Sequence, residues 1–211
     1  MKRIAVLVSG GGTNLQALID ASQRGEIPGG QIAAVISTKE GAYALERCAK
    51  VGIPGYTLPR KNYPSNQAIT IALVDLLQSL SIDLVVLAGC MVIFTEELVN
   101  AYPNAIMNVH PALIPAFCGE GFYGLRVHEA ALSYGVKLSG ATVHFVSKEC
   151  DGGPIIAQKS VAVFPDDTPE TLQKRIMEEA EWILLPQAVA LFCQDKLTVQ
   201  GRNVIIKQEN G

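Results

Sequence analysis

The sequence predicts an α/β protein with a doubly wound, mostly parallel central sheet flanked by helices, built as a single domain. Short apolar runs alternate with longer helical patterns from the amino terminus onward, which is the rhythm of βαβ units. One run, Leu84-Val85-Val86-Leu87-Ala88, contains no polar residue, as in a strand buried on both faces. The length of 211 residues at 49% hydrophobic composition can fill one sizeable core, and the chain shows no internal repeat, low-complexity tract or linker.

The elements follow in order. A strand over 4–8 leads to a helix over 15–22, a strand over 32–37, a helix over 43–51 and a short strand over 56–58. A helix over 66–80 feeds the strand at 84–88, a short helix lies near 96–100, and a strand covers 106–108. Beyond Pro115 the texture changes to a loop with Gly119, Gly121 and Gly124, a helix near 126–133, and strands over 139–147 and 155–164. One helix from about Pro169 to Cys193 closes the domain, and a small hairpin turns around Gly201. The Gly/Pro-rich stretch at 115–124 has regular structure on both sides, so it reads as an active-site loop and not as a domain boundary.

Composition narrows the function. A net charge of -3 gives no basic field for nucleic acid or an anionic membrane, so any phosphate must be met locally. The five cysteines are scattered and lack C-x-x-C spacing, which points to neither a zinc site nor a disulfide framework and suits a reducing cytoplasm. The apolar run at the amino terminus is too short for a signal peptide, and no segment is long enough to cross a bilayer.

Four motifs carry chemistry. In Met107-Asn108-Val109-His110-Pro111, an amide and an imidazole sit two residues apart, so on an extended segment both point to one side. Asn108 can donate a hydrogen bond and His110 can move a proton, which is equipment for a carbonyl. The same pair also suits a turn opener and a satisfied buried histidine. Ser9-Gly10-Gly11-Gly12-Thr13-Asn14-Leu15-Gln16, between strand and helix, lets backbone N–H groups approach an anion at the helix start. It lacks the lysine of a Walker loop and the third glycine of a dinucleotide loop, so a monophosphate is its natural cargo, against a plain glycine turn capped by Thr13 or Asn14.

Cys150-Asp151-Gly152-Gly153-Pro154 puts a carboxylate in a tight glycine turn, which by itself is also an ordinary hairpin sequence. Thr142 and His144 share the strand face that leads towards it. Asp151 near His110 should raise the imidazole pKa and keep its charged form available near neutrality, with His144 as a supporting hydrogen bonder. His128, on the helical pattern after the glycine loop, reads as a surface or loop-supporting residue. Finally Met91, Val92, Ile93 and Phe94 follow the apolar strand, where they can wall a flat heteroaromatic ring or simply pack in the core.

In this order and spacing, Ser9 to Gln16, Leu87 to Ile93, Asn108 to Pro115, Gly140 to Val146 and Asp151 to Pro154 resemble the folate-dependent formyltransferases, specifically the branch acting on phosphoribosylglycinamide in purine biosynthesis. The resemblance runs almost end to end and implies the formyltransferase fold. It implies 10-formyltetrahydrofolate as the formyl donor, phosphoribosylglycinamide as the acceptor, and no metal. It also implies catalytic roles for Asn108, His110 and Asp151, acceptor binding by Gly12, Thr13, Asn14 and Glu181, and folate binding by Asn66, Met91, Val92, Ile93, Phe94 and Asn108. Within one domain over 1-211, residues 1-100 would then form a mononucleotide-binding half and 101-200 a catalytic and folate-binding half. The chain departs from the familiar pattern at Val92, where an arginine is common, and within Tyr63-Pro64-Ser65-Asn66. Its loop Ala116 to Gly124 is longer than usual and reads as a lid. A formyltetrahydrofolate hydrolase shares such a site without needing a phosphate loop. A tRNA formyltransferase would be expected to add a basic RNA-binding domain after Cys193. A noncatalytic folate or nucleotide sensor would not need Asn108, His110 and Asp151 together.

Overall fold

The computed structural model describes residues 1–207; residues 208–211, the end of the expected 1-211 domain, lie outside the described residues. In chain order the elements are β1 (Lys2–Val8), α1 (Thr13–Gln23), β2 (Gly30–Ser37), α2 (Tyr43–Lys50), β3 (Gly55–Thr57), α3 (Asn66–Ser79), β4 (Leu84–Leu87), α4 (Glu96–Ala101) and β5 (Ile106–His110). They continue with α5 (Leu125–Tyr134), β6 (Leu138–Phe145), β7 (Ile155–Ala162), α6 (Pro169–Ile176), α7 (Trp182–Cys193), β8 (Leu197–Gln200) and β9 (Asn203–Ile206).

The strands form one sheet in the order β3-β2-β1-β4-β5-β6-β7-β9-β8. The first five are parallel. The chain winds outward from β1 through β2 to β3, returns through α3 to β4, and winds the other way to β5. The reversal between β1 and β4 opens a crevice at the carboxyl ends of these strands, where ligands bind in open α/β sheets. Strand β6 pairs antiparallel with β5 and β7 with β6, so the last part of the sheet is not wound but folded back.

The side-chain alternation of the strands splits the core in two. Ile4, Val6 and Val8 of β1 pack in one cluster with α1, α6 and α7, whereas Ala5 and Leu7 pack with α3 and α4 on the other face. A parallel strand between two helical layers must be apolar on both sides, which is why Leu84, Val85 and Val86 are all buried.

The long helix expected over Pro169 to Cys193 is instead two α-helices joined by a π-helical turn, Met177–Glu181. The helical period continues through this turn with one residue inserted, and inserted turns of this kind recur at functional sites. Thr168 and Thr171 cap the start of α6 reciprocally. Pro186, which has no N–H to give the preceding turn, lies inside α7.

Candidate active site

Three loops meet at the strand ends. The β5–β6 register sets Asn108 opposite His144 and His110 opposite Thr142, so all four side chains share one face, as the two-residue spacing requires. Asp151 completes the group from the β6–β7 loop, in the left-handed conformation at φ 52° that Asp tolerates better than most residues. A Cβ on Gly153 would run into the Phe145 carbonyl oxygen, so the turn behind Asp151 has room only for glycine there.

The geometry is a tight polar cluster. Asn108 Nδ2 donates to His144 Nε2 at 3.2 Å and lies 3.4 Å from Asp151 Oδ1. His144 donates from Nδ1 to the Phe145 carbonyl at 2.9 Å, and its Nε2 faces both Asn108 Nδ2 and, at 3.6 Å, Asp151 Oδ1. His110 Nδ1 lies 3.5 Å from Asp151 Oδ2, and its Nε2 donates to the Phe117 carbonyl at 2.8 Å. Gly119 N donates to Asp151 Oδ2 at 3.0 Å. The loop read as a lid therefore touches both ionisable members through its backbone. Thr142 Oγ1 donates to the Ala112 carbonyl at 2.7 Å and accepts from Ile114 N at 3.1 Å, fixing the segment that follows His110.

Electrostatics here correct one expectation. Burial is the largest influence on His110 and pushes its pKa below the ordinary value, over the opposing pull of Asp151 and the Phe117 carbonyl. Asp151 does favour the charged ring, but burial outweighs it, so the resting imidazole is not held protonated near neutrality. For Asp151 burial is again the largest single influence and acts upward. The His144 ring, the charge of His110 and the Gly119 N–H together exceed it, and the carboxyl titrates below its usual range.

The cluster opens into a cleft of about 700 Å³ that runs from Asn108, His110 and Asp151 to Asn14, Met177 and Glu181. Met91 and Ile93 stand 57% and 64% exposed at its wall, as a ring-binding surface would require, and the Met91 N–H is tied to Ser9 Oγ at 2.8 Å. Val92 lines the cleft as well. Phe94 instead packs against the core beside α3 and α4. Asn66 opens α3 and accepts from Arg60 Nε at 2.7 Å; neither it nor Phe94 lines the cleft.

At the far end, Gly12 adopts φ 71° immediately before α1, and a Cβ there would lie 2.7 Å from that of Ala44. Helix α1 has no side-chain cap and no acidic residue in its first turn, so no carboxylate of its own competes for its leading N–H groups. The alternative of a turn capped by Thr13 or Asn14 is not what forms. Asn14 reaches across to donate from Nδ2 to Glu181 Oε2 at 2.7 Å, while its buried Oδ1 has no partner among the described residues. Thr13 lies beside this end, facing a smaller pocket with Gln16 and Arg47. Glu181 sits in the π-helical turn, and burial lifts its carboxyl to about 6. Sequence reasoning missed Arg47, whose Nε donates to the Gly11 carbonyl at 2.7 Å and braces the glycine loop.

His128 is also corrected. It is not a surface residue: it is 1% exposed, lines the cleft, and neither ring nitrogen has a hydrogen-bond partner among the described residues. Burial, reinforced by the nearby His110, lowers its pKa to about 4. Because the unfolded chain then takes the proton first, this group withdraws stability as pH falls from about 6.5 towards 4, by about 3 kcal/mol. Glu181 acts with the opposite sign, since its raised pKa contributes stability at low pH that is lost as pH rises through about 6. The difference in chemical-denaturation stability between wild type and His128→Leu isolates the histidine: it should widen in the variant's favour on acidification from pH 7 to 4.

A family model described as formyl transferase matches residues 2–189. The phosphoribosylglycinamide formyltransferase of Haemophilus influenzae is 42% identical over 95% of this chain and 91% of its own. The structure of glycinamide ribonucleotide transformylase 1 from Symbiobacterium toebii superposes with a TM-score of 0.93 at 44% identity, covering 99% of this chain and 95% of that one. A formyltetrahydrofolate deformylase from Pseudomonas syringae pv. tomato has a TM-score of 0.86 at 27% identity, covering 98% of this chain and 66% of that one.

Proposed function

The chain belongs to the formyl transferase family, and from that premise we propose that its cleft moves the formyl group of 10-formyltetrahydrofolate onto the amine of 5′-phosphoribosylglycinamide, yielding the N-formyl product and tetrahydrofolate in purine biosynthesis. The observation that carries this reading is the single cleft itself, with the Asn108, His110 and Asp151 cluster at one end and the Asn14–Glu181 pair beside an uncapped helix start at the other.

The donor supplies the formyl group, against the wall made by Met91, Val92 and Ile93. The α1 N–H groups around Gly12, Thr13 and Asn14 receive the acceptor's phosphate, and Glu181 takes its ribose hydroxyls. Residues 1-100 thus hold chiefly the nucleotide and 101-200 the chemistry, with Met91–Ile93 and Glu181 crossing that division. As the amine attacks, the formyl oxygen becomes negative, and Asn108 Nδ2 and the His110 ring stabilise it. One Nδ2 hydrogen serves His144; the long 3.4 Å contact to Asp151 leaves the other to the substrate oxygen. A growing oxyanion raises the His110 pKa, so the imidazolium is favoured in the transition state more than at rest, which is where stabilisation accelerates a reaction. Asp151, held ionised, takes the proton shed by the attacking nitrogen and passes it to His110 Nδ1, 3.5 Å away, and the imidazolium so formed gives a proton to the departing folate nitrogen, which restores both the neutral ring and the carboxylate. His144 steadies Asn108. We place the enzyme in a reducing compartment such as the cytoplasm, supported by five unpaired cysteines.

Initial rates with phosphoribosylglycinamide, water or charged initiator tRNA as sole acceptor test the reading. The ribonucleotide should support turnover and the other two should not; equal rates with water would mark a hydrolase. The phosphate loop has its own test. An added side chain at Gly11 meets no protein atom within 4 Å, unlike one at Gly12. Gly11→Val should therefore leave the fold intact and raise the ribonucleotide KM by about tenfold or more. Titration calorimetry showing folate weakened equally would remove the loop from acceptor binding.

A further inference from the structure

A neutral imidazole carries one donor and one acceptor, and burying both without partners costs free energy that an apolar side chain would not. His128 is in that position: it projects from the first turn of α5, is 1% exposed, and leaves Nδ1 and Nε2 unpaired. Around the Asn108, His110 and Asp151 cluster the other buried polar side chains are engaged. His144 uses both nitrogens, Thr142 donates and accepts, and His110 is held at both ring edges. A residue that costs the fold stability and makes no hydrogen bond in return is retained for a ligand.

Its place identifies which part of the ligand. His128 lines the same cleft as the Asn108, His110 and Asp151 cluster and the Asn14–Glu181 end, and it lies close enough to His110 to feel its charge. An acceptor with its amine at the first end and its phosphate at the second carries its glycinamide amide next to the amine, on the side of the cleft where His128 and His110 lie near one another. That group offers one N–H donor and one carbonyl acceptor, which match the acceptor nitrogen and the N–H donor of a neutral imidazole. We propose that His128 is an acceptor-binding residue that hydrogen-bonds the glycinamide amide of the ribonucleotide and holds its amine towards the formyl carbon. This rests on the function proposed above. A ring that stays uncharged near neutrality suits the role, because a second cation beside His110 would oppose the protonation that the oxyanion calls for.

The test compares wild type, His128→Leu and His128→Asn for turnover, folate affinity and thermal stability. Wild-type turnover of phosphoribosylglycinamide must be present first; its absence would fail the functional reading and not this inference alone. His128→Leu should raise the ribonucleotide KM by about tenfold or more, with the folate Kd within about twofold of wild type and a melting temperature no lower. His128→Asn, which restores a neutral donor and acceptor, should recover part of the KM. An unchanged ribonucleotide KM, a fall in kcat alone, or a lower melting temperature in His128→Leu would each overturn the proposal, the last by showing that the ring serves the fold.

Discussion

Asn108→Ala should lower kcat by about a hundredfold or more, because it removes a donor aimed at charge that exists only while the formyl carbon is tetrahedral. Ground-state binding has little stake in that donor, so folate affinity should change by far less than kcat. The side chain is half-buried and its two contacts, to His144 Nε2 and Asp151 Oδ1, are long, so its loss leaves the fold standing. Circular dichroism and a folate titration would confirm an intact protein before rates are compared. A variant with near-normal kcat would take Asn108 out of the catalytic set.

His110→Ala should suppress turnover to a similar or greater degree, since the ring both faces the oxyanion and carries the proton from Asp151 to the leaving nitrogen. The partner substitution Asp151→Asn discriminates how the pair works. It keeps the size of the side chain but removes the one influence of opposite charge that favours the imidazolium, so burial acts on His110 with less opposition and its pKa should fall further. The limb of the pH–rate profile that reports protonated His110 should then move to lower pH. Because both residues act in one proton path, the double variant should lose less than the product of the two single losses. Nitrogen NMR of the His110 ring follows the titration directly. An unchanged imidazole pKa with activity lost would leave Asp151 as a base or a water-binding group and end its electrostatic role.

The parts legible in the sequence were those written in side-chain periodicity. Two-residue spacing put Asn108 with His110 and Thr142 with His144, and antiparallel pairing of β5 with β6 brought the two pairs face to face. The apolar run at 84–88 announced a strand between two helical layers, with β4 occupying Leu84–Leu87. What escaped depends on three-dimensional surroundings. A sequence displays the charge of Asp151 but not the burial of His110, so the sign of the resulting shift was read wrongly. His128 adjoins the buried Val127 and Ala131 on α5, yet a histidine beside an apolar stripe looks outward until the cleft beneath it is known. Phe117 and Gly119 serve the site through a carbonyl and an N–H, which no residue type reports. The π-helical turn at 177–181 inserts one residue into a helical period that otherwise continues, so the periodicity reads as one helix.

The most direct test of the account follows carbon-13 in the formyl group of the donor by NMR during turnover with phosphoribosylglycinamide. Direct transfer to the bound amine predicts that the label moves from folate to the glycinamide nitrogen without free formate, and that this flow stops in Asn108→Ala and His110→Ala while both proteins stay folded. Labelled formate accumulating at the same rate with and without the ribonucleotide would contradict it, because the site would then be giving its formyl group to water.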